Sequence, residues 1–175
     1  MQSITKKITI QEVNSLNEPS FTQFFGNIIE HCPSAAIAIF KKKPFDNIID
    51  IYDGIISFLR NISLKEKVEI LKMHPDLAGK FENTVNLTIE SQKEQQSAGL
   101  HLISLDETEE LRQLNNGYKL KFGFPFVICA RDNTIVSIVR AIKERINNEE
   151  EYEVGISMKE VEKIAMKRIN DIINL

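Results

Sequence analysis

The chain has 175 residues, 27% of them charged, and a net charge of −3. That length suits one compact domain with a substantial core, and the near balance of charge excludes a basic field for phosphate backbones or an anionic bilayer, so nucleic acid is not an expected partner. Two distant cysteines outside any C-x-x-C spacing, Cys32 and Cys129, fit a reducing cytoplasmic compartment better than a disulfide scaffold.

The opening MQSITKKITIQEVN lacks the apolar core of a signal peptide. No apolar run approaches the roughly 18 to 20 residues of a bilayer span, so a soluble, unprocessed protein without a membrane partner is expected. Apolar spacing is helical almost throughout and no fixed-period repeat is present. This predicts an all-α fold, a single domain over residues 1–175 built as an irregular bundle of about seven to nine helices.

In chain order, Phe21, Phe24, Phe25, Ile28 and Ile29 recur at i, i+3, i+4, i+7 and i+8, one face of a helix ending near Pro33. A short apolar segment, SAAIAIF, follows. Pro44 then opens a longer helix with Ile48, Ile49, Tyr52, Ile55, Ile56, Leu59 and Ile62, spread widely enough around the axis to imply deep burial. Ser63 and Glu66 are spaced as a capping box, which predicts a helix over residues 64–73 with His74 at its end. Pro75 and Gly79 oppose its continuation.

Residues 91–100 read as helical, residues 106–121 start on a D-x-x-E box, and residues 134–147 carry Ile135, Ile138, Val139, Ile142 and Ile146. Ser157 and Glu160 are spaced to cap a last helix. Between these lies KFGFPFVICA, strand-like in composition. Pro125 lacks the N–H that a ladder needs and Gly123 invites a tight bend, so the stretch reads as a buried extended segment.

Some residues break the apolar pattern. Arg168 shares the stripe formed by Val161, Ile164, Ala165, Ile169 and Ile172. Burying a guanidinium alone costs several kcal/mol, so it must snorkel, pair with a buried carboxylate, or meet an anionic ligand. Ser91, Glu94, Gln95 and Ala98 fall at i, i+3, i+4 and i+7, which puts a hydroxyl, a carboxylate and an amide on one helical face; a solvated surface explains that spacing equally well. The helix macrodipole favours a protonated His74, which suits a plain helix cap as well as a functional ring. His31 and His101 have no evident chemical partner in the sequence. Zinc spacings, a G-x-S-x-G elbow, a P-loop and G-x-G-x-x-G are all missing, so metal, serine-hydrolase and nucleotide chemistry lose their usual signatures.

Three motifs in order, HPDLAGK, the S-x-x-E-Q-x-x-A-G-L pattern of Ser91 to Leu100, and YKLKFGFPFVICAR, resemble 2-oxo-4-hydroxy-4-carboxy-5-ureidoimidazoline (OHCU) decarboxylases. The resemblance extends from FTQFFGNIIEHCP to the K-I-A-M-K-R-I segment, with a core of about residues 14–174. One departure is visible: the family often has a tryptophan after HCP, where this chain has Ser34, Ala35 and Ala36.

The resemblance implies an all-helical, cofactor-free carboxy-lyase without a metal, commonly a homodimer. Its substrate would be OHCU and its product (S)-allantoin, in urate and purine breakdown. It places catalytic roles on His74, Glu94 and Arg168 and substrate-lining roles on Pro75, Ser91 and Gln95, with backbone N–H groups around Phe126, Val127 and Ile128 completing the pocket.

Loss of CO₂ leaves an electron pair on carbon, which the imidazoline ring can absorb while the enzyme protonates one face. Histidine suits that transfer because its ordinary pKa of roughly 6.5 lies near working pH. Glu94 would hold His74 in one tautomer or bind the substrate hydroxyl, and Arg168 presents a planar fork to a carboxylate or ring oxygen. Two other readings remain at this point: a hydrolase acting just upstream on 5-hydroxyisourate, and a non-enzymatic helical interaction module. The lyase reading expects His74, Glu94 and Arg168 to converge on one cavity.

Overall fold

A computed structural model of the protein describes residues 7–77 and 87–174. Among these residues the architecture is all-α: nine α-helices and one 3₁₀ turn, with no strand beyond an isolated bridge between Ile8 and Ile173. None of these helices is long and apolar enough to cross a bilayer. The contacts divide the chain into two compact units, residues 1–64 with 162–175, and residues 65–161.

The first unit holds α1 (Ile10–Ser15), α2 (Glu18–Phe25), α3 (Pro33–Phe40), α4 (Ile48–Asn61) and the C-terminal part of α9 (Glu150–Ile172). Asn17 caps α2 by accepting from Ser20 N–H. The helix stops at Phe25, earlier than the Phe/Ile period predicts. Ile28 and Ile29 are buried from the following turns, where His31 takes φ of 49°, a conformation open to few side chains. Pro33 then starts α3, since its fixed φ suits the first helical position. SAAIAIF is therefore part of a helix, and its Ala35, Ala36 and Ile39 are buried.

Phe21 stacks on Phe25 at 4.4 Å between centroids and meets Phe40 at 5.5 Å. Burying such a ring contributes about 1.5–3 kcal/mol, so this cluster is a main support of the unit. The α4 helix begins at Ile48 and not at Pro44, because Asn47 and Asp50 form a reciprocal capping box there. It buries one face, Ile51, Gly54, Ile55 and Leu59, while Ile49 is 58% exposed. The wide apolar spread therefore overstated its burial. Tyr52 Oη donates to Asn170 Oδ1 at 2.6 Å, joining α4 to the end of α9.

The second unit is built from α5 (Leu64–Lys72), α6 (Ile89–Ser97), α7 (Leu105–Phe122), the 3₁₀ turn Ala130–Asp132, α8 (Ile135–Arg145) and the N-terminal part of α9. Thr88 caps α6 and Thr134 caps α8. The cap of α7 is Ser104 with Glu107, two residues before the expected Asp106 box. Gly123 closes α7 at φ of 76°, a left-handed position that glycine takes at little cost.

Ser157 and Glu160 do not cap the last helix. It starts at Glu150, and both residues are buried well inside it. A Ser and a Glu three apart have the spacing of a capping box and equally the spacing of one helical face.

Residues 124–130 are buried, as expected, and residues 125–129 belong to neither helix nor strand. Side chains take the place of a ladder. Phe126 N–H donates to Asn115 Oδ1 at 3.1 Å, Arg145 Nη1 donates to Val127 O at 2.9 Å, and Cys129 N–H donates to Glu160 Oε2 at 2.9 Å. The rings of Phe122, Phe124 and Phe126 surround Tyr118 at 4.6 to 5.9 Å.

Candidate active site

His74 follows the last turn of α5 and is 8% exposed. Its Nδ1 lies 3.0 Å from Ile70 O, one helical turn back. A carbonyl oxygen only accepts, so this contact puts a proton on Nδ1 and makes Nε2 the nitrogen through which the ring gains and loses its second proton. The ring is thus a helix cap and a tautomer-defined imidazole at once.

Ser91, Glu94 and Gln95 are all buried on α6. A solvated face is therefore ruled out for them. Gln95 Nε2 donates to Asp76 O at 3.3 Å, which ties α6 to the turn His74, Pro75, Asp76. The Asp76 carboxylate meets Lys119 Nζ of α7 at 2.9 Å, so the turn is held from two helices. Glu94 Oε1 lies 3.8 Å from Arg131 Nη2 on the 3₁₀ turn. Ala78, Gly79 and Lys80, the end of the HPDLAGK motif, lie outside the described residues.

Phe126, Val127 and Ile128 lie in the buried segment after α7. The Phe126 N–H is committed to Asn115, so Val127 and Ile128 lie between two anchored N–H groups, those of Phe126 and Cys129. Arg168 belongs to the first unit and is 3% exposed. Its Nη1 is 2.8 Å from Glu30 Oε2 and donates to Asn27 O at 2.8 Å. Of the three fates open to this guanidinium, it has the buried carboxylate.

Several polar residues escaped the sequence reading. Arg145 donates to Glu153 and Ser157 at 2.6 and 2.9 Å through Nη2, and its guanidinium lies 4.4 Å from the Phe126 ring centroid. Tyr118 also donates to Glu153. Burial, and then this hydrogen bond to Glu153, push the Tyr118 phenol well above its ordinary range. Glu153, Ser157 and Glu160 sit at i, i+4 and i+7, and that period alone marks a polar stripe on one face of α9. Glu30, Asn115 and Arg131 carry no comparable local signal. Among the described residues no group of three or more His, Cys, Asp or Glu is placed to hold a metal ion.

An all-helical frame here withdraws an imidazole, a carboxylate and an amide from water, the residue types of a candidate acid–base site. Residues 14–170 match the OHCU decarboxylase family, and the chain belongs to that family of decarboxylating lyases. It is 42% identical over 164 residues to the 2-oxo-4-hydroxy-4-carboxy-5-ureidoimidazoline decarboxylase of Xenopus laevis, covering 92% of this chain and 94% of that one. The protein of the same name from Amia calva is 40% identical, with 94% of each chain covered.

Among solved structures, an OHCU decarboxylase crystallised in the presence of (S)-allantoin superposes with a TM-score of 0.64 at 26% identity, covering 78% of this chain and 87% of that one. An (S)-allantoin synthase gives 0.76 at 23% identity, a likeness of fold, over 95% of this chain and 54% of that one.

Proposed function

We propose that this protein converts OHCU to (S)-allantoin and CO₂ in urate breakdown, without a cofactor, and that His74, Glu94 and Arg168 carry the reaction. The observation that supports this most strongly is the burial of Ser91, Glu94 and Gln95 on a helix tied to the His74 turn, in a chain of this family. Polar groups withdrawn from water are expensive unless they serve a fold or a ligand.

As the carbon–carbon bond to the carboxylate breaks, its electron pair passes into the imidazoline ring. His74 protonates the resulting carbon through Nε2, with Nδ1 held on Ile70 O. Because that carbonyl already sets the tautomer, Glu94 is assigned to the substrate hydroxyl. Arg168, anchored through Nη1 on Glu30 and Asn27, is assigned to the substrate carboxylate, for which a planar fork is suited and a lysine is not.

Ser91, Gln95 and Pro75 line the pocket, and the N–H groups of Val127 and Ile128 complete it. The stiff 126–128 segment serves as the wall that confines protonation to one face. A cytoplasmic setting accords with Cys32 and Cys129, both buried and not joined by a disulfide. A homodimer is the expected assembly, checked by light scattering.

The test is chiral detection of allantoin from freshly generated OHCU, with CO₂ release followed in parallel. His74→Ala and Glu94→Ala should keep the fold and lose stereoselective turnover by roughly 10²- to 10⁴-fold. Arg168→Lys should weaken binding or transition-state stabilisation. Full activity in His74→Ala would sink the mechanism, and a crystal with bound product would show whether the three side chains share one cavity.

A further inference from the structure

We infer that Arg131 is a positioning residue for the reaction, biasing the place of the Glu94 carboxylate through its charge from a turn hydrogen-bonded to α8 and α9. The inference rests on the lyase reading above and adds a residue to it.

The 3₁₀ turn that carries Arg131 packs against α6. Its backbone is fixed at each end. Cys129 N–H donates to Glu160 Oε2 of α9 at 2.9 Å, and Asp132 N–H donates to Cys129 O at 3.1 Å. Asn133 closes the far side. Its N–H donates to Ala130 O at 3.0 Å, its Nδ2 donates to Cys129 O at 2.9 Å, and its Oδ1 accepts from Ser137 Oγ of α8 at 2.9 Å. The turn is therefore stapled to α8 and α9, and the side chain it presents lies 3.8 Å from Glu94 Oε1.

Contrast the pair Arg112 and Glu109 on α7, closer at 2.6 Å but half-exposed at both ends and only one helical turn apart. Water screens such a pair and it contributes little. Arg131 and Glu94 retain 23% and 10% of their side-chain exposure and sit on separate elements. Attraction between opposite charges grows as water is withdrawn. At 3.8 Å the guanidinium acts on the carboxylate through charge, and the turn that carries it is held in place by its own hydrogen bonds. Glu94 is the group assigned to the substrate hydroxyl, and an error of about 1 Å in such a group can cost on the order of a hundredfold in rate.

The test is a double-mutant cycle on the full chain with freshly generated OHCU, using Arg131→Gln, Glu94→Gln and the two combined, with Arg131→Lys as the charge-conserving control. Arg131→Gln should lower kcat on the order of a hundredfold and leave KM nearly unchanged, with Arg131→Lys recovering part of the loss. Added to Glu94→Gln, the Arg131 change should cost nothing further, because the two act as a unit. Circular dichroism and thermal melting check the fold; if Arg131→Gln unfolds, Arg131→Lys carries the same cycle.

The same fractional loss in both backgrounds, or a loss confined to KM, overturns the positioning role and leaves the lyase reading standing. Inactive wild-type enzyme overturns both.

Discussion

The two halves of α9 bury charge in different company. Glu153, Ser157 and Glu160 of the N-terminal half meet Arg145, Tyr118 and the Cys129 N–H, and through them fix the buried 125–129 segment. In the C-terminal half Arg168 meets Glu30 and Asn27 O, in a unit whose core is otherwise stacked phenylalanine and isoleucine. In the second unit buried polarity replaces a ladder. In the first it is a charge set into an apolar interior. A network of this kind can redistribute its bonds when one member is lost, whereas a buried ion pair that loses one charge leaves the other uncompensated.

The strongest way to break that contrast is Glu30→Gln. It should destabilise the protein by about 3–5 kcal/mol, read from urea unfolding, whereas a change under about 1 kcal/mol would mean that Arg168 readily finds another anion. Glu153→Gln should cost less, about 2–3 kcal/mol, since Arg145 also meets Ser157 Oγ, Val127 O and the Phe126 ring. An effect equal to that of Glu30→Gln would erase the distinction.

Tyr118→Phe should cost about 1–2 kcal/mol and carries a pH signature. The phenol's folded pKa is raised above its unfolded value, so its contribution is complete below the ordinary value of about 10 and is lost as pH rises towards the folded one. Alkaline unfolding scans should show that decline in the wild type and lose it in Tyr118→Phe. At the small end, Arg112→Ala should leave the melting temperature unchanged, because that pair lies in water.

How far the sequence carried the reading depends on whether a signal was local. The helical class followed from apolar period, and the buried 125–129 segment, neither helix nor strand, followed from Pro125 and Gly123. Boundaries failed where one pattern has two causes: Ser157 and Glu160 have the spacing of a cap and are the interior face of α9. The α3 helix was missed because SAAIAIF is too uniformly apolar to show a period. For Arg168 the sequence narrowed the choices to three, but Glu30 lies far away in the chain and nothing local names it. For Ser91, Glu94 and Gln95, spacing does not distinguish a wet face from a dry one, and the family motif supplied what periodicity lacked.

The segment from Phe124 to Cys129 is pinned by Asn115, Arg145 and Glu160, one residue at a time. A β-ladder is made of backbone, which substitution cannot alter one bond at a time. These pins are side chains, so each can be exchanged separately by a single codon change. The wall beside the proposed chemistry can therefore be reshaped stepwise while the helices that bear its pins stay in place, which makes it the natural point from which new substrate preferences could be selected.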